Sequence, residues 1–241
     1  IEPTGTGFDI LLVIGEPYAD HPRSPVGMIA RVLDAEGWKV GVIECPDWKG
    51  KNDFLKLGRP RLFFGITSGS IDSMLVNYTP LKRERAVDPN APFASRMPDR
   101  AVIVYANRIR ELHKGVRIVL GGIEASLRRF AHYDYWGDDV RRSILLDTRA
   151  DILVYGPGEL QAVEIARRLD RGEDLDGLHG TSVIRAEAPE GALVIPSFEE
   201  VQADKDKFCE AQKRLTNRKT IAQKHANRFV VQYAAPDYTP A

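Results

Sequence analysis

Five short apolar segments, each followed by a turn, constrain the fold of this chain more than any other feature. They occupy residues 8–14, 40–43, 62–66, 117–120 and 152–155, and helical patterns separate most of them. Short apolar runs with little polar alternation are typical of strands buried on both faces of a parallel sheet. We therefore predict a doubly wound, flavodoxin-like or Rossmann-like α/β fold, with a five-stranded parallel sheet in strand order 2-1-3-4-5.

The segments between these runs carry helix signals. Ser24 is a suitable N-cap with Pro25 at the first helical position, and Gly37 suits the left-handed residue after the helix. Further patterns predict a helix over residues 98–114 and one after Gly158 with Leu160 on its buried face. Residues 77–99 lack a pattern and indicate a long surface insertion.

The regular alternation ends after about Gly172. Strand patterns at residues 181–184 and 192–195 predict a hairpin, and Ser197 opens a capping box that starts a helix. We therefore predict a flavodoxin-like domain over residues 1–175 and a hairpin-plus-helix extension over residues 176–241.

Between the fourth and fifth runs, Asp138 and Asp139 suit the amino end of a short helix.

Composition excludes some classes of protein and some locations. The 241 residues are 43% apolar and 28% charged, as expected of a soluble globular protein. Because 34 basic residues balance 34 acidic residues, net charge indicates neither a nucleic-acid nor an anionic-membrane partner. No apolar run approaches the roughly 20 residues of a membrane helix, and no signal-peptide pattern is visible. We expect a cytoplasmic location.

Glycine and small polar residues stand where the predicted strands end. They are Gly15, Glu16, Thr67, Ser68, Gly69, Gly121, Gly122 and Gly156. Ligands of open α/β sheets bind at the carboxyl ends of the strands, so these residues are candidates for a ligand cleft. The alternative is that the glycines only permit tight turns. Neither a G-x-G-x-x-G motif after the first strand nor a Walker loop is present, which argues against a dinucleotide or P-loop site.

Residues 121–136 hold an unusual density of polar and aromatic side chains, of which Glu124, Arg128, His132 and Tyr133 are site candidates. The aromatic residues could stack a base or substrate, or pack a loop. The nearby arginines, Arg128, Arg129, Arg141 and Arg142, could bind phosphate or RNA. They could equally pair with the local aspartates.

Asp20 and His21 form an adjacent acid and imidazole pair after the first strand. They could act as a general-base pair or as metal ligands. A metal site needs three or four converging ligands, so a hydrogen-bonded structural role is the favoured interpretation.

Short sequence motifs over most of the chain resemble the amino-terminal region of the YgiQ-type radical SAM family. The motifs lie at residues 20–22 (DHP), 46–48 (PDW), 61–65 (RLFFG), 72–74 (DSM), 100–105 (RAVIVY), 121–129 (GGIEASLRR), 132–136 (HYDYW), 140–143 (VRRS), 150–151 (AD) and 196–199 (PSFE). The resemblance implies a longer radical SAM enzyme that cleaves S-adenosylmethionine at a [4Fe–4S] cluster.

Cysteine content limits what this chain contributes to such an enzyme. Cys45 and Cys209 are its two cysteines, whereas a [4Fe–4S] cluster requires three or four. We therefore expect no cofactor in this chain, no catalysis by it alone, and a C-terminal radical SAM domain of the same polypeptide as its partner. The expected role is to cap the barrel and help to form the cleft for the substrate, which these residues do not identify.

The order of landmarks is also similar to that of cobalamin-binding domains that precede radical SAM barrels. The landmarks are residues 25–27 (PVG), 121–122 (GG) and 156–159 (GPGE), but the D-x-H-x-x-G cobalt-ligand motif is absent. The resemblance therefore favours the fold over cobalamin binding. Two alternatives stay open: a stand-alone cobalamin- or flavin-binding module, and an RNA-binding module of a modification enzyme.

Overall fold

The computed structural model describes residues 7–21, 24–85 and 97–236. Residue 22 of the DHP motif and residues 86–96 of the predicted insertion lie outside these ranges. The strands are β1 Ile10–Ile14, β2 Val40–Glu44, β3 Phe63–Thr67, β4 Arg117–Leu120, β5 His132–Asp134, β6 Asp139–Arg141, β7 Ile152–Val154, β8 Thr181–Arg185, β9 Leu193–Ile195, β10 Ile221–His225 and β11 Arg228–Gln232. The helices are α1 Pro25–Ala35, α2 Asn52–Leu55, α3 Ser73–Asn77, α4 Ala101–Leu112, α5 Gly122–Leu127, α6 Ile144–Thr148, α7 Glu159–Arg171, α8 Phe198–Ala203 and α9 Lys205–Arg214.

Five parallel strands form one half of the main sheet, in the order β2-β1-β3-β4-β7. Ile10 pairs with both Val40 and Phe63, and Ile66 pairs with Leu120. This is the predicted order 2-1-3-4-5, so the order of the parallel strands is confirmed. From β1 the chain adds β2 on one side and then β3 on the other. This reversal of the strand order places a topological switch point at the carboxyl ends of β1 and β3.

The main sheet is larger than the predicted five strands. Beyond β7 it continues with β8, β11, β10 and β9, giving nine strands among the residues described. β8 and β11 run antiparallel to their neighbours, whereas β9 and β10 pair in parallel. The prediction of five strands was wrong because β8 pairs with β7 on one side and with residues 228–232 of β11 on the other, and sequence periodicity contains no signal for such pairings. The fold is mixed α/β with a mostly parallel sheet.

Alternating side chains of the central strands build two cores. In β1, Ile10, Leu12 and Ile14 face α1 and α7, while Leu11 and Val13 face the side covered by α2, α4, α5, α6, α8 and α9. All five β1 side chains are buried, which explains the continuous apolar run in the sequence. None of the helices in the described ranges has the length and apolar character needed to cross a bilayer.

The α1 helix begins and ends as its sequence predicted. The Ser24 hydroxyl accepts a hydrogen bond from the Gly27 amide at 3.2 Å, and Pro25 occupies the first helical turn. Gly37, at φ +90°, follows the helix in the left-handed region. The capping box of α8 is also confirmed, because Ser197 and Glu200 each accept the other's backbone N–H. Local capping chemistry therefore fixes both boundaries.

Three local predictions were wrong. Asp139 opens strand β6, which pairs with β5 as a two-stranded ribbon, and the next helix starts after the Ser143 cap. Leu160 is exposed because the buried face of α7 is set by Ala162, Val163, Ile165 and Ala166. The strands β8 and β9 do not form a hairpin with each other, since β11 and β10 lie between them.

Candidate functional site

The carboxyl ends of β1, β3 and β4 bring most of the predicted cleft residues together. Ile14 pairs with Thr67, and Ile66 pairs with Leu120, so the residues that follow these strands lie side by side. The Gly121 amide donates to the Ile66 carbonyl at 3.0 Å, which ties the β4 end to β3. The residues at this edge are Gly15, Glu16, Thr67, Ser68, Gly69, Gly121 and Gly122.

Gly122 allows a close approach between two of these strand ends. Its φ is +82°, and a Cβ there would lie 2.3 Å from the Thr67 hydroxyl oxygen. That oxygen also accepts the Gly69 amide at 3.1 Å. A side chain at Gly122 would therefore displace Thr67 and strain the backbone at the start of α5.

Glu16 is held by the loop after β3. Its carboxylate accepts hydrogen bonds from the Ser70 amide at 2.8 Å and the Ser70 hydroxyl at 2.7 Å. A Cβ at Gly69 would lie 2.5 Å from the Glu16 carboxyl carbon, so the glycine makes room for this contact. Glu16 thus joins the β1 and β3 loops at the sheet edge.

A cavity of about 380 Å³ opens at this edge, between the sheet and the pair of helices α1 and α7. Apolar side chains from both layers form its walls, and glycines and polar groups stand where its strands and helices end. The apolar lining residues are Leu12, Pro25, Val26, Met28, Ile29, Phe63, Ile66, Val119, Leu120, Val154, Pro157 and Ala162. The others are Gly65, Thr67, Gly121, Gly122, Gly156, Gly158 and Glu159.

Two glycines leave the mouth of the cavity open. A Cβ added at Gly121 would meet no heavy atom within 4 Å, whereas one at Gly158 would touch Val154 at 3.1 Å and Ile29 at 3.8 Å, both in the cavity wall. The sequence predicted Gly121 as a cleft residue and Gly158 only as a residue of the turn before a helix, and it did not indicate the walls from α1 and Gly65. An isolated glycine inside the predicted third strand was the available signal for Gly65, because such a glycine often marks a close approach.

Glu124 lies behind the cleft and is fully buried. Its two carboxylate oxygens accept backbone hydrogen bonds from Ser73 at 2.9 Å and Val102 at 3.0 Å, which joins α5 to the amino ends of α3 and α4. Burial, and secondly the charge of Asp72, raise the pKa of this carboxyl. Glu124 therefore has its hydrogen-bonding capacity directed at the backbone rather than at the cavity.

Arg128 completes this buried group. Its guanidinium donates to the Asp72 carboxylate and to the Glu124 carbonyl, the latter at 3.2 Å. Burial by itself would lower the pKa of Arg128, but hydrogen bonding and charge attraction from Asp72 raise it. The guanidinium thus stays charged inside the protein and compensates the buried acids. Asp72, which also caps α3, was not among the predicted site residues.

Asp20 and His21 lie away from the cavity. Asp20 is exposed and pairs with Arg31 of α1, with one oxygen 2.9 Å from the arginine Nε. That hydrogen bond lowers the pKa of Asp20. The His21 carbonyl accepts the Ser24 amide at 2.8 Å, so His21 is hydrogen-bonded to the N-cap residue of α1.

His132 and Tyr133 belong to the β5–β6 ribbon and not to the sheet edge. The His132 Nδ1 lies 3.1 Å from the Phe130 carbonyl, and burial lowers the pKa of this imidazole below 6.5. The Tyr133 hydroxyl donates to Asp138. Nearby, Tyr78 and Trp136 are in ring contact at 5.4 Å, so aromatic side chains pack the chain after α3 against the ribbon.

The four arginines considered as phosphate ligands have partners within the protein. Arg142 lies 2.6 Å from Asp147, and Arg141 lies 3.3 Å from the same carboxylate. Arg129 donates to Gln232 at 2.7 Å and to Asn217 at 3.1 Å, which connects the segment after α5 with β11 and with the loop before β10. Burial lowers the pKa of Arg129.

Metal-binding residue types are not clustered in the described chain. Within residues 7–21, 24–85 and 97–236, no three His, Cys, Asp or Glu residues are placed to share a metal ion. The two cysteines are far apart in sequence, Cys45 half-buried and Cys209 exposed. A [4Fe–4S] cluster needs three or four cysteine ligands, so the residues of this chain do not fit that group.

Comparison with curated proteins finds close relatives. The chain is 45% identical to a UPF0313 protein of Thermotoga petrophila over 236 residues, which covers 93% of this chain and 42% of the relative. It is 45% identical to a UPF0313 protein of Geobacter sulfurreducens over 93% of this chain and 39% of that protein. A Vibrio vulnificus UPF0313 protein is 50% identical over 83% of this chain and 27% of its own length. The chain thus spans less than half of these relatives.

Two solved structures and one family model are similar to this chain. A solved radical S-adenosylmethionine methyltransferase, TsrM from Kitasatospora setae with tryptophan substrate and a SAM analogue, is similar at a TM-score of 0.49 and 23% identity, covering 75% of this chain and 28% of that one. TsrM with cobalamin and a [4Fe-4S] cluster gives a TM-score of 0.48 and 22% identity, covering 77% of this chain and 28% of that one. The sequence itself matches the radical SAM N-terminal family over residues 4–240. The chain therefore belongs to the radical SAM N-terminal family, as its resemblance to YgiQ-type proteins predicted.

Proposed function

We propose that this chain is the N-terminal domain of a radical SAM enzyme and forms one wall of that enzyme's substrate cleft. The observation that carries the proposal is the carboxyl edge of the sheet, where the mouth of a cavity adjoins an exposed apolar surface. Open α/β sheets bind their ligands at this edge. A partner domain that covers the edge would enclose whatever occupies the cleft.

The exposed surface consists of Ile71, Leu75, Ile123 and Leu127, which we call the apolar rim. Ile71 lies just before α3 and Leu75 within it, while Ile123 and Leu127 lie four residues apart in α5, and each of the four is at least 43% exposed. The two helices meet through Glu124, which accepts the Ser73 amide. Exposed apolar patches bordered by polar residues are typical of interaction surfaces.

The proposed occupant of the apolar rim is the radical SAM domain of the same polypeptide. The relatives are long enough to contain such a domain, because the match to this chain covers 42% of the Thermotoga petrophila protein. Reductive cleavage of S-adenosylmethionine would take place in that second domain, since the cysteines of this chain do not fit the cluster. This chain would contribute the cleft wall and the docking surface.

Measurements of iron content and of S-adenosylmethionine cleavage test whether the cluster chemistry belongs to the second domain and not to this chain. After anaerobic reconstitution with iron and sulfide, we expect this chain to hold no stoichiometric [4Fe–4S] cluster and to release no 5′-deoxyadenosine under reducing conditions. A protein in which the radical SAM domain follows this chain should do both. Cluster loading and 5′-deoxyadenosine release by this chain alone would contradict the proposal.

A second candidate function is that of a self-contained ligand-binding module. The cavity favours it, because all of its walls come from this chain and need no partner domain. Titration with cobalamin separates the candidates: a tight equimolar complex with this chain would favour the module. An RNA-binding role has less support, because Arg128 and Arg129 are bound to internal partners.

A further inference from the structure

We propose that the cavity between the sheet and the helices α1 and α7 binds an uncharged aromatic or heteroaromatic ring system that carries hydrogen-bond donors. The inference rests on the proposed function in one respect, since the cavity opens at the edge that we assign to the cleft. Unlike that function, it needs neither the radical SAM domain nor an iron–sulfur cluster. It can therefore be tested separately on this chain.

The first argument is the apolar character and size of the cavity. Its volume of about 380 Å³ lies within the range of about 300–1,000 Å³ that is usual for small-molecule sites. Leu12, Phe63 and Val119 from the sheet face Val26 and Ile29 of α1 across it. Such walls favour burial of an apolar group and disfavour a charged one.

The second argument is the open backbone at the mouth. The cavity lies between a sheet layer and a helix layer, so its lining comes from both. Among the lining glycines, an added Cβ would meet no heavy atom within 4 Å at Gly121 and Gly156, so backbone is uncovered there; at the other three, Gly65, Gly122 and Gly158, neighbouring side chains occupy that space. A planar ring can approach such backbone closely, and the Met28 thioether in the helix layer makes favourable contacts with aromatic rings.

The third argument is the charge at the mouth. Among the described residues that line the cavity there is no Lys, Arg or His, and Glu159 is the one acid. Glu159 occupies the first turn of α7, where its carboxylate offsets the positive end of the helix dipole. A phosphate would be repelled there, whereas hydroxyl or amino donors of a neutral ligand would find an acceptor.

Paired ligands that differ in a phosphate test this inference. We would titrate this chain by isothermal calorimetry with riboflavin and flavin mononucleotide, and with adenosine and adenosine monophosphate. At least one neutral ring compound should bind, with its phosphorylated counterpart weaker on the order of tenfold. In the Glu159→Gln variant this preference should shrink, because the carboxylate charge is gone and a carbonyl acceptor is kept.

A steric variant locates the site. Gly121→Val should abolish or greatly weaken binding while the protein stays folded, because Gly121 has extended backbone at φ −155° and its added Cβ would meet no heavy atom within 4 Å. Gly7→Val is the matched control, since Gly7 is exposed and its Cβ would also enter open space. Circular dichroism and the unfolding midpoint check the fold of both variants.

Several results would overturn the inference. They are no binding of either neutral ring compound, equal binding of the phosphorylated forms, unchanged binding in Gly121→Val, or equal binding of a medium-chain alcohol in place of a ring. None of these results would bear on where the [4Fe–4S] cluster resides or on S-adenosylmethionine cleavage. Failure here is thus distinguishable from failure of the proposed function.

Discussion

Glu124 shows how a single buried carboxylate can shape a cleft without taking part in binding. Its two oxygens accept the Ser73 and Val102 amides at the starts of two different helices. The nearby guanidinium of Arg128 compensates the buried charge through Asp72. The sequence indicated that Glu124 and Arg128 were unusual, but it could not show that they contact Ser73, Val102 and Asp72, each more than twenty residues away.

Replacing Glu124 with Gln should destabilise the fold. The amide nitrogen of Gln would face a backbone N–H donor, so one buried hydrogen bond would be lost and a donor left unsatisfied, at a cost of about 1–3 kcal/mol. Urea unfolding measures the change. Glu190→Gln, at an exposed glutamate, is the control and should be neutral. Equal stability of the two variants would show that the Glu124 contacts are not structural.

His225 should make stability depend on pH. Burial, with a smaller contribution from Arg142, lowers the pKa of His225 from 6.5 to about 4, although Glu199 opposes the change. The unfolded chain therefore binds the proton more readily than the folded protein. The contribution of His225 to stability is complete above pH 6.5 and is lost as pH falls toward about 4.

His225→Phe removes this titration and keeps a flat ring against Phe198, whose ring centroid lies 5.4 Å from that of His225. Between about pH 7.5 and about pH 5, the wild-type free energy of unfolding should fall by on the order of 2 kcal/mol more than that of the variant. Urea denaturation at both pH values gives the difference. Parallel pH profiles would mean that the folded protein protonates His225 normally.

At the scale of elements, the turn between β4 and α5 depends on one of its two glycines more than on the other. Gly122→Ala should cost about 1–3 kcal/mol, because φ is +82° and the new Cβ would lie 2.3 Å from the Thr67 hydroxyl. Gly121→Ala should be almost neutral, since Gly121 is extended and its Cβ meets nothing within 4 Å. Thermal unfolding of both variants decides this, and equal effects would contradict the geometry.

Elements with strong local signals were predictable from the sequence, and those that depend on distant pairing were not. Ser24, Pro25 and Gly37 fixed α1, because caps act within one turn of the helix. Asp139 was misassigned because its place in the β5–β6 ribbon depends on a partner strand rather than on its own propensity. Leu160 was misplaced for a similar reason: its helical spacing is sound, but packing against the sheet set the buried face.

At the scale of the whole molecule, β8 to β11 extend the predicted parallel core into a single nine-stranded sheet. Arg129 of the β4–β5 connection reaches Gln232 in β11, so side chains also link the two parts. The order of the five parallel strands, β2-β1-β3-β4-β7, followed from alternation and connection rules. The cavity did not, because its helical wall is formed jointly by α1, which begins at Pro25, and α7, which begins at Glu159.

Hydrogen exchange tests the central claim, that the carboxyl edge of the sheet is a docking surface for a radical SAM domain. The measurement compares this chain alone with a protein in which that domain follows it, and β4 serves as the internal reference because three of its four residues are already buried in this chain. If the apolar rim is covered, amides of α3 and α5 should exchange on the order of tenfold more slowly in the longer protein while β4 is unchanged. Identical exchange of α3 and α5 in the two proteins would contradict the claim.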